Sequence, residues 1–256
     1  MGRVQLFEWM DQPWLPALLR DGITDHLKDT EELFDPFKAV GALLSEAVAH
    51  SGQGHFVDLC SGGGGPALQL VRQLQPRGVV EGVVLTDRFP NLGAFRAAAS
   101  QPGVRFHHEP VDATAVPEEL LGTRTVFNAL HHFPPTAARA VLADATRQQQ
   151  PILIVEALSR SLPGLATALG VASLGPLLAA LRRPLQPGIL LLSTLLPLLP
   201  LILAWEGAVS AMRCYSTDEL HALTGGLGGD SYRWQIDRHR THIPFLSLTS
   251  LVGIPC

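Results

Sequence analysis

Phe56-Val57-Asp58-Leu59-Cys60-Ser61-Gly62-Gly63-Gly64-Gly65-Pro66 decides how the rest of this chain is read. An apolar strand runs into an acid, the acid into a glycine-rich turn, and the turn into an apolar helix over Ala67 to Leu74. Glycines without a Cβ let the backbone come close to a bulky ligand. The first N–H groups of the new helix have no partner within it and are free to meet that ligand. The pattern points to a nucleotide-like ligand on an α/β fold. A dinucleotide fingerprint would require Gly-x-Gly-x-x-Gly, and no Gly-Lys-Ser/Thr phosphate loop is present. Four consecutive glycines alone would also suit an ordinary flexible loop, so the reading depends on the strands downstream.

Those strands keep to one order. Val79 to Asp87 reads as a second buried strand ending in an acid, placed where a carboxylate can accept hydrogen bonds from ribose hydroxyls. Val104 to Ala113 reads as a third strand running to Asp112, Thr125 to Phe133 as a fourth that ends at Asn128 and His131-His132, and Pro151 to Leu158 as a fifth. Over roughly residues 50–158 this series resembles the class I S-adenosylmethionine (SAM) methyltransferases, with Cys60 standing where that family usually has its first glycine. A cysteine there must either keep a negative φ or carry strain. The resemblance implies a Rossmann-like, seven-stranded, mostly parallel sheet with a reversed last strand. It also implies SAM as cofactor and S-adenosyl-L-homocysteine as product. The cofactor residues it implies are Asp58, Cys60, Ser61, Gly62, Gly64, Asp87, Arg88, Asp112, Ala113 and Asn128, with Asp112 at the adenine amino group. Trp14-Leu15-Pro16, His131 to Pro135, Trp205-Glu206-Gly207, Arg213 to Ser216 and Leu251 to Pro255 are further similar to a bacterial group of small-molecule methyltransferases of unassigned substrate.

Composition narrows the partners. The chain is 46% apolar and only 16% charged, enough to bury a large core, and its net charge of −4 gives no basic footprint for nucleic acid. Cys60, Cys214 and Cys256 have no paired spacing, which fits a reducing compartment and no metal knuckle. The first residues lack an apolar signal core, so a cytoplasmic protein is expected, with membrane association left open.

The chain divides into four regions. Residues 1–50 read as a helical cap in front of the sheet, which the resemblance implies covers the mouth of the site and which could equally pack on the sheet edge; Arg20, Asp21 and Asp25 are its polar residues able to face a substrate. Residues 51–160 form the cofactor-binding core, 161–212 an apolar helical insertion, and 213–256 complete the sheet. Thr136 to Gln149 reads as an amphipathic helix, Ser216 and Glu219 form a capping-box signature, and Tyr232 to Arg240 with Phe245 to Ile254 make a hairpin. From Ser161 to Trp205 the only charges are Arg182 and Arg183. Three readings of this segment stand side by side. It spans a membrane as a hairpin, it lies in or on one leaflet with the arginines at the headgroups, or it packs as a lid against the domain or a second subunit.

Methyl transfer from a sulfonium needs an aligned nucleophile, exclusion of water and sometimes a base. His131 is the favoured base, with His132 second, and Arg213 and Tyr215 are placed to close over the site, although Arg213 pairs equally well with Glu206. Glu156 reads as a buried partner in the fifth strand. His107 and His108 point to opposite faces of a strand and cannot easily share one metal, so no metal is expected. The expected function is SAM-dependent methylation of a small, largely apolar acceptor, such as a lipid, a quinone-like ring or a secondary metabolite. The alternative is a non-catalytic protein of the same fold that uses its apolar segment as a membrane or partner surface.

Overall fold

The computed structural model describes residues 2–181 and 185–256. Arg182 and Arg183, the arginines expected at lipid headgroups, lie outside the described residues. The chain begins with an extended segment that leads into α1 (Ala17–Phe34) and α2 (Gly41–Ser51). Five strands with their helices come next: β1 (His55–Leu59), α3 (Gly65–Leu74), β2 (Gly82–Leu85), α4 (Leu92–Ala98), β3 (Val104–Phe106), β4 (Thr123–Phe127), α5 (Pro135–Arg147) and β5 (Ile152–Glu156). Four apolar helices are then inserted: α6 (Leu162–Ser173), α7 (Gly175–Leu181), α8 (Pro187–Thr194) and α9 (Leu198–Arg213). The chain closes with α10 (Thr217–Thr224), β6 (Tyr232–Arg240) and β7 (Ser247–Pro255).

The strands make one seven-stranded sheet in the order β3-β2-β1-β4-β5-β7-β6. β1 to β5 are parallel, and β7 enters antiparallel between β5 and β6. β2 and β5 are continuous apolar runs because helices cover both faces, whereas the equally buried β4 carries Thr123, Arg124 and Thr125, with Arg124 paired to Asp144 of α5 at 2.5 Å. One face carries Phe37, Phe56, Leu70, Val83 and Phe95 against α2, α3 and α4, and the other carries Val57, Val126, Leu142 and Leu220 against α5 and α10. A third core joins the insertion to α1 through Ile23, Ile189, Leu199 and Leu203.

The capping box at Ser216 and Glu219 is present, and the β6–β7 hairpin pairs Arg240 with Ser247. One strand is shorter than its sequence suggests. β3 ends at Phe106, and Asp112 stands in the loop beyond it. Pro110 and the histidine pair interrupt the apolar run, and the backbone N–H of Val111 instead bonds to Asp87 O at 2.9 Å. β1 and β4 lie side by side at the centre, with β2 on the far side of β1, so the chain diverges at their carboxyl ends and leaves a crevice there.

Candidate active site

The glycine turn is tightly stitched to the sheet beneath it. Asp58 and Thr125 are register partners, and the Thr125 hydroxyl donates to the Asp58 carboxylate at 2.6 Å. Burial pushes the Asp58 carboxyl up to about 7, and the hydrogen bonds from Thr125 and Ser61 oppose that rise. Cys60 takes the second of its two options, at φ 60°, a left-handed conformation that costs a residue with a Cβ strain. Asn128, at the end of the adjoining strand, does the same at φ 48°, which asparagine tolerates better.

The run of glycines has two separate causes. Gly62 and Gly64 adopt positive φ, 53° and 82°. Gly63 and Gly65 make room for α1, which lies across the turn. A Cβ on Gly63 would stand 2.9 Å from the Thr24 carbonyl, and one on Gly65 would collide with the Glu31 carboxylate. Thr24, Lys28 and Glu31 fall on one helical face at this spacing, so α1 lids the turn directly.

Between lid and sheet lies a cleft of about 560 Å³. Cys60, Ser61, Gly62, Asp87, Arg88, Asp112, Asn128 and His132 all line it, as does Arg20 from the cap. Asp87 joins its two loops: one carboxylate oxygen accepts the Gly62 N–H and the other accepts the Phe89 N–H, both at 2.8 Å. At Asp112 burial works to raise the pKa, but hydrogen bonds from the Thr114 hydroxyl and N–H, with the charge of Arg88, hold it below the ordinary value. Asp58, Gly64 and Ala113 do not line the cleft. Asp58 braces the turn from below, Gly64 shapes it, and Ala113 packs into the core on the α5 side. Asp21 and Asp25 are also absent from its wall.

A second chamber of about 470 Å³ lies beyond, walled mainly by apolar residues of α1, α6 and α9. Met10, Leu27, Glu31, Asn128 and His132 line both cavities and form the neck between them. The Asn128 amide donates to Glu31 at 3.2 Å and accepts the Ala157 N–H at 2.7 Å. Burial pushes the Glu31 carboxyl up to about 8. His131 opens into the apolar chamber alone. Its Nδ1 is 2.8 Å from a Glu156 oxygen, and its backbone N–H donates to the other oxygen at 3.1 Å. Because a carboxylate only accepts, Nδ1 carries the proton and Nε2 is the basic nitrogen.

His132 differs from its neighbour. Its Nδ1 lies 2.6 Å from Glu8 and 2.9 Å from Asp11. Burial works against its charge, but Glu8 and Asp11 outweigh it and hold its pKa well above the ordinary value. The structure corrects the expected roles of Arg213 and Tyr215. Arg213 pairs with Asp11 at 2.7 Å and Glu8 at 3.1 Å, not with Glu206, and it faces neither cavity. The Tyr215 hydroxyl donates to Phe133 O at 2.6 Å beneath the guanidinium of Arg3. Glu206 instead accepts the N–H groups of Trp9, at 2.6 Å, and Met10, at 3.3 Å.

These contacts belong to a strap, residues 2–12, that crosses the His131–Phe133 loop and binds α9. Arg3 donates to His131 O and Phe133 O, both at 3.0 Å, and Trp205 Nε1 donates to Phe7 O at 3.0 Å. Glu8, Asp11 and Glu31 were missed in the sequence because nothing in their spacing marks them. The strap also brings ligand-type atoms of Glu8, His131 and His132 within 4.8 Å of one another, and Glu8 there is already paired with His132 and Arg213.

The strand order, the reversed seventh strand and the crevice over a glycine turn define the fold of the class I SAM-dependent methyltransferases. Solved structures agree. Human N-acetylserotonin methyltransferase in complex with SAM superposes with a TM-score of 0.52 at 16% identity, over 92% of this chain and 55% of that one. An O-methyltransferase from neocarzinostatin biosynthesis, in complex with S-adenosyl-L-homocysteine and 1,4-dihydroxy-2-naphthoic acid, superposes with a TM-score of 0.50 at 16% identity, over 91% of this chain and 57% of that one. This chain therefore spans a little over half the length of either. No protein-family model and no curated protein matches the sequence.

Proposed function

We propose that this protein transfers a methyl group from SAM to a small, largely apolar acceptor. The observation that carries the reading is the pair of cavities meeting at one neck, a polar cleft over the glycine turn and an apolar chamber that contains His131. The cleft suits SAM in kind. The turn permits close backbone approach, Asp87 and Asp112 offer carboxylate oxygens to hydroxyl and amino groups, and Phe89 and Phe133 add apolar wall. The N-acetylserotonin and neocarzinostatin-pathway methyltransferases bind SAM or its product in this fold. Bound there, SAM would supply an electrophilic methyl.

The chain's own residues would do the rest. The chamber would hold the acceptor by burying its apolar surface and would exclude water. His131 Nε2 would take the proton of an acceptor hydroxyl, and Glu156 would fix the ring and stabilise the imidazolium formed. The rings of His131 and His132 lie 4.5 Å apart between centroids, so the base stands beside the neck where cleft and chamber meet. An acceptor thiol with a low pKa would scarcely need this base, so amine, thiol and carbon acceptors remain within the proposal.

Calorimetric titration with SAM and with S-adenosyl-L-homocysteine tests it. Micromolar binding of both is expected, with affinity at least roughly tenfold weaker in Asp87→Ala, which loses a charged hydrogen-bond acceptor. A folded protein that binds neither compound would overturn the enzyme reading, and unchanged binding in the variant would remove Asp87 from the site.

A further inference from the structure

We propose that the outer face of α6 to α9 docks in the surface of a lipid bilayer. This inference does not rest on methyl transfer. The four helices pack on one another and on α1, and their outward positions are leucines. Leu162 is 83% exposed, Leu195 76% and Leu201 65%, and Leu177, Leu181 and Leu196 are more than half exposed. Such a face is far more apolar than the solvated surface of a soluble domain. It continues onto α1, where Leu18 lies against α8, and onto the turn ahead of that helix, where Trp14 is 61% exposed.

Its polar groups favour lipid over a protein partner. Among the described residues from 161 to 205 there is no charged side chain. The outward hydroxyls of Thr167, Ser173 and Thr194 donate to carbonyls of their own helices, at 2.9, 2.7 and 2.7 Å. Among the described residues the face thus offers a partner few side-chain hydrogen-bonding groups besides the exposed Gln186, whereas a protein interface carries about one hydrogen bond per 100–200 Å². Satisfying hydroxyls inside their own helix is what a hydrocarbon environment requires. Trp205 is suited to the boundary, with an exposed ring and an N–H bonded to Phe7 O.

Docking fits better than spanning. Leu162–Leu181 is long and apolar enough to cross a bilayer, but its inner side, with Ala168, Gly175 and Ala179, packs against the protein. The pair α8–α9 bends by 71°. Helices held on one side by the body and apolar on the other lie in the interface plane. The same α6 and α9 wall the apolar chamber, so the docked face adjoins the place where an acceptor would bind.

The test is flotation of the purified full chain with phosphatidylcholine vesicles, at low and high salt. The wild type is expected to float with the vesicles in both. Acyl-brominated lipid should quench its tryptophan fluorescence, less so in Trp205→Phe. Leu195→Glu with Leu201→Glu, both at exposed positions, should keep an unchanged thermal transition and lower the bound fraction at least roughly tenfold. Wild-type protein left in the lipid-free fraction overturns the proposal. So does binding confined to anionic vesicles and abolished by salt. A vesicle-free dimer that the leucine variants dissociate, without flotation, would assign the face to a second copy instead.

Discussion

Cys60 shows what can and what cannot be read residue by residue. Its sequence position predicts a choice between negative φ and strain, and the structure takes the strain, at φ 60°. Relief of a left-handed residue with a Cβ is worth about 1–2 kcal/mol, and the added freedom of glycine in the unfolded chain takes back about 0.4–1 kcal/mol. Cys60→Gly is therefore expected to stabilise the protein by roughly 0.5–1 kcal/mol, a rise of about 1–4 °C in a thermal melt. A lower midpoint would show that the thiol's packing outweighs its backbone strain. Asp87 and Asn128 were legible because an acid or amide at a strand end is visible in the sequence. Glu31 was not. Its importance comes from where α1 lies, and an amphipathic helix does not announce which neighbour its polar positions will meet.

At the scale of elements, strands and their helices were legible wherever apolar runs met glycine or proline, as at β1, β5 and α5. The end of β3 was misplaced because the reading carried the strand across His107 to Pro110 to reach Asp112, past the last sheet partner at Phe106. The strap was invisible, since short extended segments have no periodicity and the contacts that seat it, to the His131–Phe133 loop and α9, are with distant residues. Its ion cluster gives it a pH dependence. Glu8 and Asp11 have lowered pKa values, in spite of burial and because of His132 and Arg213, so their contribution is present above the ordinary 4.5 and 3.8 and is lost as pH falls through the folded values. His132 is raised, so its contribution is full below 6.5 and is lost as pH climbs through its folded value. Burial raises Glu206 to about 7, so the folded form binds its proton more tightly, and stability falls from 4.5 upward through 7. The strap should accordingly be seated best near about pH 5. Hydrogen exchange at residues 2–12 should quicken toward pH 8 beyond the intrinsic base effect, and less so in Glu206→Gln. Equal corrected protection at pH 5 and pH 8 would contradict this origin of the strap's stability.

For the whole molecule, the division between cleft and chamber matters most. The cleft is built by the sheet, the glycine turn and α1, and the chamber by α1 together with the insertion, so changes on the insertion's side of the chamber should separate from cofactor binding. Val171 lines only the chamber. Val171→Trp should leave SAM affinity within about twofold, since distant sites act independently, while reducing uptake of bulky apolar acceptors. A loss of SAM binding in a folded variant would mean that the chamber's shape governs the cleft. The seven-stranded architecture could be read from the order of motifs, but the chamber could not, because it arises only where the insertion folds back onto α1.

The strap also bears on how the protein is made. Its backbone binds α9, as in the 3.3 Å bond from Val4 N to Met212 O, so part of its seat is missing until α9 has been synthesised, although Arg3, Glu8 and Asp11 already meet the His131–Phe133 loop. During translation β1 to β5 can pair before the strap is fully held over that loop. Full seating of the strap is thereby tied to the synthesis of α9, and a nascent chain stopped before that helix would carry the cleft without this clasp.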